Sequence, residues 1–278
     1  MGRQRRARPQ APRGRHLTAS ADPADLLALA TDVAVEAGAL LRERFRGGAT
    51  ALGSKTTPTD LVSEADFAAE RLIRTQLEAA RPDDAVLGEE GGDQGDGAQT
   101  SGLRWVVDPL DGTVNFLFGI AQWAVSVACE DAEGALVGVI HDPLREETFA
   151  ASRTGEPTVN GAAVQGSQTD ELSTALIATG FAYDAEVRRP QSEVITRLLP
   201  QVRDIRRMGS AALDLAWTAC GRYDAYYERA VEPWDVAAGT LICQRAGLEV
   251  RPLEGDELPA GVLVAPGGLV DALQAIVA

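Results

Sequence analysis

A chain of 278 residues with 45 % hydrophobic and 24 % charged residues can bury a large core and has the make-up of a globular enzyme. No apolar run reaches the roughly 18 residues that span a bilayer, and no apolar signal core precedes the first helix, so the expectation is a cytoplasmic protein without a membrane partner. The formal charge is −15, although Arg3, Arg5, Arg6, Arg8, Arg13 and Arg15 crowd residues 1–16 without an acid, which leaves the body more acidic than the whole. Phosphate backbones are held by Lys and Arg, so an acidic body excludes a broad nucleic-acid surface. Residues 1–22 read as a basic disordered tail, the one segment suited to nucleic acid. Cys129, Cys220 and Cys243 are odd in number and far apart, which excludes a disulfide framework and a zinc knuckle and suits reduced thiols.

Residues 23–46 show helical apolar spacing through Leu26, Leu29, Val33, Leu40 and Leu41. A second helix is predicted over Leu61–Ala80, with Asp60 as its start signal. Ala85–Leu87 reads as a short strand that ends in Gly88-Glu89-Glu90, and residues 91–102 as a loop. Strands follow at Leu103–Val107, Trp123–Cys129, Leu136–His141 and Thr148–Ala151, with a tight turn at Val159-Asn160-Gly161. The second half alternates: strand 175–178, helix 187–199, strand 204–207, helix 210–220, strand 223–228, helix 234–246, strands 248–251 and 262–265, and a closing helix over 268–277. Helix pairs, a mixed sheet and a βαβα half predict a layered α/β fold. Residues 23–278 are expected to form a single domain whose two α/β halves share a cleft.

Chemistry concentrates in Trp105–Phe116, where an apolar run delivers Asp108 and Asp111 and then Gly112-Thr113. Carboxylates bind a hard cation, and the Gly-Thr amides can receive an anion, so together they suit a metal-bound phosphate ester. The plain alternative is a strand and a turn, since Asp-Pro and Asp-Gly are ordinary turn dipeptides. Glu89 at a strand end and Asp235 at a helix start add acids where α/β proteins place ligands. Oxygen ligands point to Mg²⁺, and only His16 and His141 are present, which disfavours zinc. Lys55 is the only lysine and suggests a position that needs a compact ammonium.

Five blocks in order resemble the inositol monophosphatase family of Mg²⁺-dependent, lithium-sensitive phosphatases. They are Lys55–Asp66, Leu87–Glu90, Trp105–Phe116, Arg206–Leu215 with Tyr226-Tyr227-Glu228, and Glu232–Gly239. The resemblance implies an α-β-α-β-α sandwich of the sugar phosphatase type, a homodimer and two or three Mg²⁺ ions. It implies Glu89, Asp108 and the Leu110 carbonyl as ligands of one metal, and Asp108, Asp111 and Asp235 as ligands of a second. Asp66 and Thr113 would activate the attacking water, with Glu89 also in the catalytic set, and Lys55 would lie on the phosphate side. Gly112 and Thr113 would offer amides to the phosphate. Substrate contacts would come from Leu110, Asp111, Gly112, Thr113, Gly209, Ser210, Ala211, Glu228 and Asp235.

The Asp111–Phe116 sequence resembles the bacterial inositol-1-monophosphatase branch, which implies hydrolysis of myo-inositol monophosphate with water as the nucleophile. The alternatives are a related phosphatase for fructose-1,6-bisphosphate, histidinol phosphate or adenosine 3′,5′-bisphosphate, or a transcription- or RNA-associated binding protein of the same fold.

Overall fold

Helical spacing, strand alternation and capping residues set the chain into two sheets interleaved with three helix layers. The computed structural model describes residues 22–47, 51–54, 61–93, 101–255 and 258–278. The basic tail up to residue 21, Asp60 and Lys55 fall outside these, so the readings placed on them are not addressed structurally.

Helix α1 (Pro23–Gly47) precedes a two-stranded antiparallel hairpin of β1 (Ala51–Ser54) and β2 (Leu61–Ser63), and α2 (Glu64–Ala80) follows. The expected helix from Leu61 is therefore corrected: residues 61–63 pair as a strand, and Ser63 caps α2. A capping box explains the boundary, because the Ser63 hydroxyl accepts from Ala65 N at 3.1 Å while the Asp66 carboxylate accepts from Ser63 N at 2.9 Å.

Next come β3 (Ala85–Gly88), β4 (Gly92–Asp93), β5 (Arg104–Asp111), α3 (Thr113–Leu117), β6 (Ala124–Asp131), β7 (Gly134–Asp142), β8 (Glu147–Ser152), β9 (Thr158–Val159) and β10 (Ala162–Ala163). They form an eight-stranded sheet in the order β10-β9-β8-β7-β6-β5-β3-β4, in which β3 and β5 run parallel. Two further differences from the sequence reading appear here. Gly92 and Asp93 pair back on β3 instead of lying in a loop, and β5 continues four residues past Val107. The second half contributes β11 (Leu176–Thr179), α4 (Ala185–Leu198), β12 (Asp204–Arg206), α5 (Ala211–Ala219), β13 (Ala225–Arg229), α6 (Pro233–Arg245), β14 (Glu249–Leu253), β15 (Gly261–Ala265) and α7 (Val270–Val277). Its sheet runs β12-β11-β13-β15-β14, parallel through β12, β11 and β13 and antiparallel beyond.

Strand alternation distributes side chains between the layers. Trp105, Val107, Val125, Val127 and Val139 face α1 and α2, where Leu26, Val33, Leu41, Ile73 and Leu77 are buried. Val106, Ala124, Ala128 and Ile140 face the other way, against Leu213 and Leu215 of α5, Ala238 and Ile242 of α6, and Tyr226 and Val264 of the second sheet. Ile177, Tyr227 and Leu263 point outward from that sheet and meet Val194 of α4 and Leu273 of α7. The result is the expected α-β-α-β-α sandwich. Helix α6 lies hard against β7, since a Cβ on Gly138 would come within 2.8 Å of the Ala238 backbone. That close approach fixes the height at which the first turn of α6 meets the end of β5.

Candidate metal and phosphate site

The acidic motif is aimed by an irregularity in β5. Asp108 pairs with Ser126 and Asp111 with Ala124, so one extra residue is inserted between them. Such bulges re-aim side chains and interrupt pairing, and Pro109, which has no N–H to lose, is suited to one. Leu110 N–H donates to Asp108 Oδ1 at 2.9 Å, while the Leu110 side chain is fully buried and its carbonyl stays at the site. Gly112 then turns the chain with φ 95°, and a Cβ there would lie 2.9 Å from the Gln122 carbonyl. Only glycine tolerates both conditions. Beneath the turn, Phe116 packs with Phe45 and Trp123 at centroid distances of 5.4 and 5.1 Å, which anchors α3 in the core. At five residues α3 is a single short turn, so its dipole is slight and adds little to what the Gly112 and Thr113 amides could offer an anion.

Asp66, fully buried on α2, reaches the same place from the opposite layer. Thr113 Oγ1 lies 2.8 Å from Asp66 Oδ1 and 3.0 Å from the Leu110 carbonyl, while the Ser63 amide and hydroxyl both donate to Asp66 Oδ2. The carboxylate is thus locked, and Thr113 holds its hydroxyl toward it.

Asp235 is the third residue of α6. Its Oδ2 accepts from Glu232 N at 2.7 Å, and Pro233 begins the helix. Carboxylate oxygens of Asp108, Asp111 and Asp235 all come within 4.8 Å of one another. Glu89, one residue beyond β3, joins them from the neighbouring parallel strand, its amide bonded to the Val107 carbonyl at 3.3 Å. Asp111 is further gripped by the second half: the Ser210 hydroxyl and the Ala212 amide (2.8 Å) donate to Oδ2, and the Ala211 amide (3.3 Å) donates to Oδ1.

Concentrated negative charge strains these groups. Burial raises the Asp108 pKa well above the carboxylate range, reinforced by Glu89, Asp111 and Asp235. Burial likewise pushes Asp111 up to about 6 against the opposing hydrogen bonds of Ser210 and Ala212, and raises Asp235 with help from Asp111. A hard divalent cation fits this donor set: the oxygens are close and mutually repelling, Asp108 and Asp111 are buried, and its charge would relieve all of them together.

A cleft of about 930 Å³ opens from the carboxylates toward the second sheet. Glu89, Asp108, Leu110, Asp111, Gly112, Thr113, Gly209, Ser210, Ala211, Glu228 and Asp235 all line it, with Asp66 directly behind Thr113. Glu228 of β13 is half-buried against Gly180, accepts from the Tyr226 hydroxyl at 2.9 Å, and is pushed up to about 7, chiefly by desolvation. Val231 and Trp234 also line the cleft, and Trp234 packs on the core as well. Ser210 is 1 % exposed and its hydroxyl bonds Asp111.

Several residues here escaped the sequence reading. Arg207 is the sole cation among the described lining residues and stands over the Phe181 ring at 6.0 Å. Asn115 is buried and donates to the carbonyls of Gln122 (2.8 Å), Met208 (2.8 Å) and Gly209 (3.2 Å), which ties the phosphate-side turn to the opposite wall. Asp214, buried behind Glu228, has its pKa raised by desolvation. Asn115 stands inside the Trp105–Phe116 block, yet nothing in the sequence signals that its partners are main-chain carbonyls.

A five-layer α/β sandwich with carboxylates clustered at strand and helix ends and a locked Asp–Thr pair beside them is the arrangement of a metal-dependent phosphoesterase class. Within that class the chain belongs to the inositol monophosphatase family, whose model matches residues 22–276. It is similar to the inositol-1-monophosphatase of Mycobacterium leprae, 42 % identical over 272 residues that cover 91 % of this chain and 94 % of that protein. A protein of Xylella fastidiosa named Nus factor SuhB is 42 % identical over 201 residues, 72 % of each chain. The extragenic suppressor protein suhB of Bartonella henselae superposes with a TM-score of 0.83 at 32 % identity, covering 91 % of this chain and 98 % of that one.

Proposed function

We propose that the chain is a Mg²⁺-dependent phosphate monoesterase that releases phosphate from myo-inositol monophosphate. The observation that carries this reading is the gathering of Asp108, Asp111 and Asp235 within 4.8 Å, beside a Thr113 hydroxyl bonded to buried Asp66. Glu89, Asp108 and the Leu110 carbonyl would hold one Mg²⁺, and Asp108, Asp111 and Asp235 a second, with room for a third. Bound there, Mg²⁺ supplies the charge that neutralises the phosphate oxygens and makes water nucleophilic.

The protein's own groups do the rest. The Gly112 and Thr113 amides hold phosphate oxygens in place, so water attacks a fixed phosphorus. Thr113 Oγ1 accepts the water proton as its own passes to Asp66 Oδ1, the 2.8 Å contact making this transfer short. On the other side of the ester, Glu228 and Asp235 accept hydrogen bonds from ring hydroxyls, and the Ala211 wall leaves space for the ring. Lithium sensitivity, a homodimer and a reducing cytoplasm complete the proposal. The cytoplasmic setting accords with three free thiols, and no helix among the described residues is long and apolar enough to cross a membrane.

The test is phosphate release with Mg²⁺ from inositol-1-phosphate, fructose-1,6-bisphosphate, histidinol phosphate and adenosine 3′,5′-bisphosphate, each with and without Li⁺. The expected result is preference for the inositol ester and loss of rate in Li⁺. No release from any of the four would sink the enzyme reading.

A second reading is favoured by the relatives named Nus factor SuhB: binding to transcription machinery, with the basic tail as a contact. Deleting residues 1–16 should then remove RNA or polymerase binding and leave phosphate release intact.

A further inference from the structure

Glu89 sits on the turn between β3 and β4, and a largely buried ion pair lies beneath it. Glu70 and Arg74 stand one helical turn apart on α2, with side chains 5 % and 13 % exposed, and Arg74 Nε donates to Glu70 Oε1 at 2.7 Å. The same carboxylate accepts two amides of the turn, Glu90 N on Oε2 at 2.7 Å and Gly91 N on Oε1 at 2.9 Å. Arg74 extends the grip to both sides, donating to the Val86 carbonyl at 3.2 Å and to the Gly92 carbonyl at 2.8 Å. The fit is close enough that a Cβ on Gly88 or Gly91 would lie 2.6 or 2.7 Å from Glu70 Oε1.

This arrangement answers a mechanical need. Glu89 lines the same cleft as Asp108, Asp111 and Asp235, and like charges gathered there would push the short turn away from the cleft unless something held it. Charge-assisted bonds from two amides and a guanidinium to one buried carboxylate are the strong kind. None of them can open without stranding buried charge. Glu70 faces away from the cleft and is not among its lining residues, so its effect on the site passes through the turn.

We propose that Glu70, clamped by Arg74, is a positioning residue that presets the Glu89 turn for cation binding. The proposal rests on the reading of Glu89 as a metal ligand. Glu70→Gln is the natural perturbation: the amide keeps one acceptor oxygen, turns an NH₂ group toward the other backbone N–H, and removes the anion from Arg74.

The experiment uses the full chain and two readouts besides turnover: amide hydrogen exchange of the metal-free protein, and Mg²⁺ binding by calorimetry. In Glu70→Gln, exchange at residues 89–92 should rise at least about tenfold while the centres of α2 and β5 are unchanged. Mg²⁺ affinity should fall by about ten- to a hundredfold, the usual effect of losing an outer support of a ligand. Turnover at saturating Mg²⁺ should recover to within about twofold, because the cation then holds the turn itself. Arg74→Lys should give an intermediate result, and Arg74→Met serves by the same criteria if Glu70→Gln does not fold. Unchanged affinity, or exchange raised uniformly through α2 and β5, would overturn the proposal. Wild-type protein that takes up no Mg²⁺ would instead refute the metal reading of Glu89, and exchange at residues 89–92 would still decide whether Glu70 holds the turn.

Discussion

Replacing Asp235 by asparagine should make the metal-free protein more stable while destroying its response to Mg²⁺. The asparagine oxygen can keep the 2.7 Å bond from Glu232 N, and its NH₂ group then faces Asp108 and Asp111 as a donor where a third carboxylate had been. Two unit charges about 5 Å apart at an effective dielectric of roughly 20 repel by about 3 kcal/mol. The cleft admits water, so about 1–2 kcal/mol is the expected gain. At about 2–4 °C per kcal/mol for a chain of this size, the melting temperature in EDTA at pH 8 should rise by several degrees.

The sign with pH follows from the raised pKa values. A carboxyl with a folded pKa above its unfolded value binds protons more tightly in the fold. Its stabilising contribution is therefore full below the unfolded pKa and lost as pH climbs through the folded one. For Asp111 that window runs from 3.8 to about 6, and Asp235 shifts in the same direction. Metal-free wild type should thus lose stability from about pH 4 upward, and Asp235→Asn should lose less. Mg²⁺ at a hundred times its dissociation constant adds about 2.7 kcal/mol to a fold that binds it, which reverses the ranking in favour of wild type. Scanning fluorimetry in EDTA and in Mg²⁺ across pH 4–8 measures all of this. An Asp235→Asn protein that melts below wild type in EDTA at pH 8 would refute the repulsion argument.

Asp108→Asn removes the carboxylate shared by both proposed cations, so phosphate release should fall by well over about a hundredfold, beyond what outer-shell losses cost; near-wild-type turnover in Mg²⁺ would remove Asp108 from the site. Mg²⁺ uptake should release protons and strengthen as pH rises through about 6, the value for Asp111, which calorimetry in buffers of different ionisation heat detects; a pH-independent affinity would contradict it. Glu228→Gln should raise KM for a polyol phosphate several-fold and leave an aryl phosphate nearly unaffected, since the proposed function puts Glu228 on the alcohol side; equal changes for both would deny it that role. Asn115→Ala strands the carbonyls of Gln122, Met208 and Gly209 and should cost about 2–3 kcal/mol in stability, read from urea midpoints.

What the sequence disclosed and what it withheld divide along a physical line. Apolar periodicity placed α1, α6 and the central strands, because burial on one face leaves a regular trace. Side-chain types at strand and helix ends single out Glu89, Asp108, Asp111 and Asp235 as candidate ligands, because a hard cation requires carboxylates, and the fold gathers them around one cleft. The strand at Leu61–Ser63 was masked by a competing start signal at Asp60, and the cap proved to be Ser63 with Asp66 as its reciprocal partner. Pro109 looked like the end of β5, yet a bulge accepts a residue without an N–H and the strand continues to Asp111.

Two of the residues that went unread, Asn115 and Glu70, share a different property: they bind backbone atoms. Asn115 binds three carbonyls, two of them more than ninety positions away, and Glu70 binds two amides about twenty positions away. Every residue carries an amide and a carbonyl, so such partners have no sequence signature. Chemistry that selects side-chain type is visible in one sequence, whereas the main-chain bonds that hold that chemistry in place become visible only with the fold. The proposed site thus has two kinds of members: acids whose mutual repulsion a cation would relieve, and Ser63, Glu70, Asn115 and Ser210, whose bonds to the main chain or to acids of the site hold it together. Asp111 shows both at once, pushed up to about 6 by burial and still held by Ser210, Ala211 and Ala212 from the far wall. A substitution among the acids should therefore trade function for stability, and one among the supports should lower both.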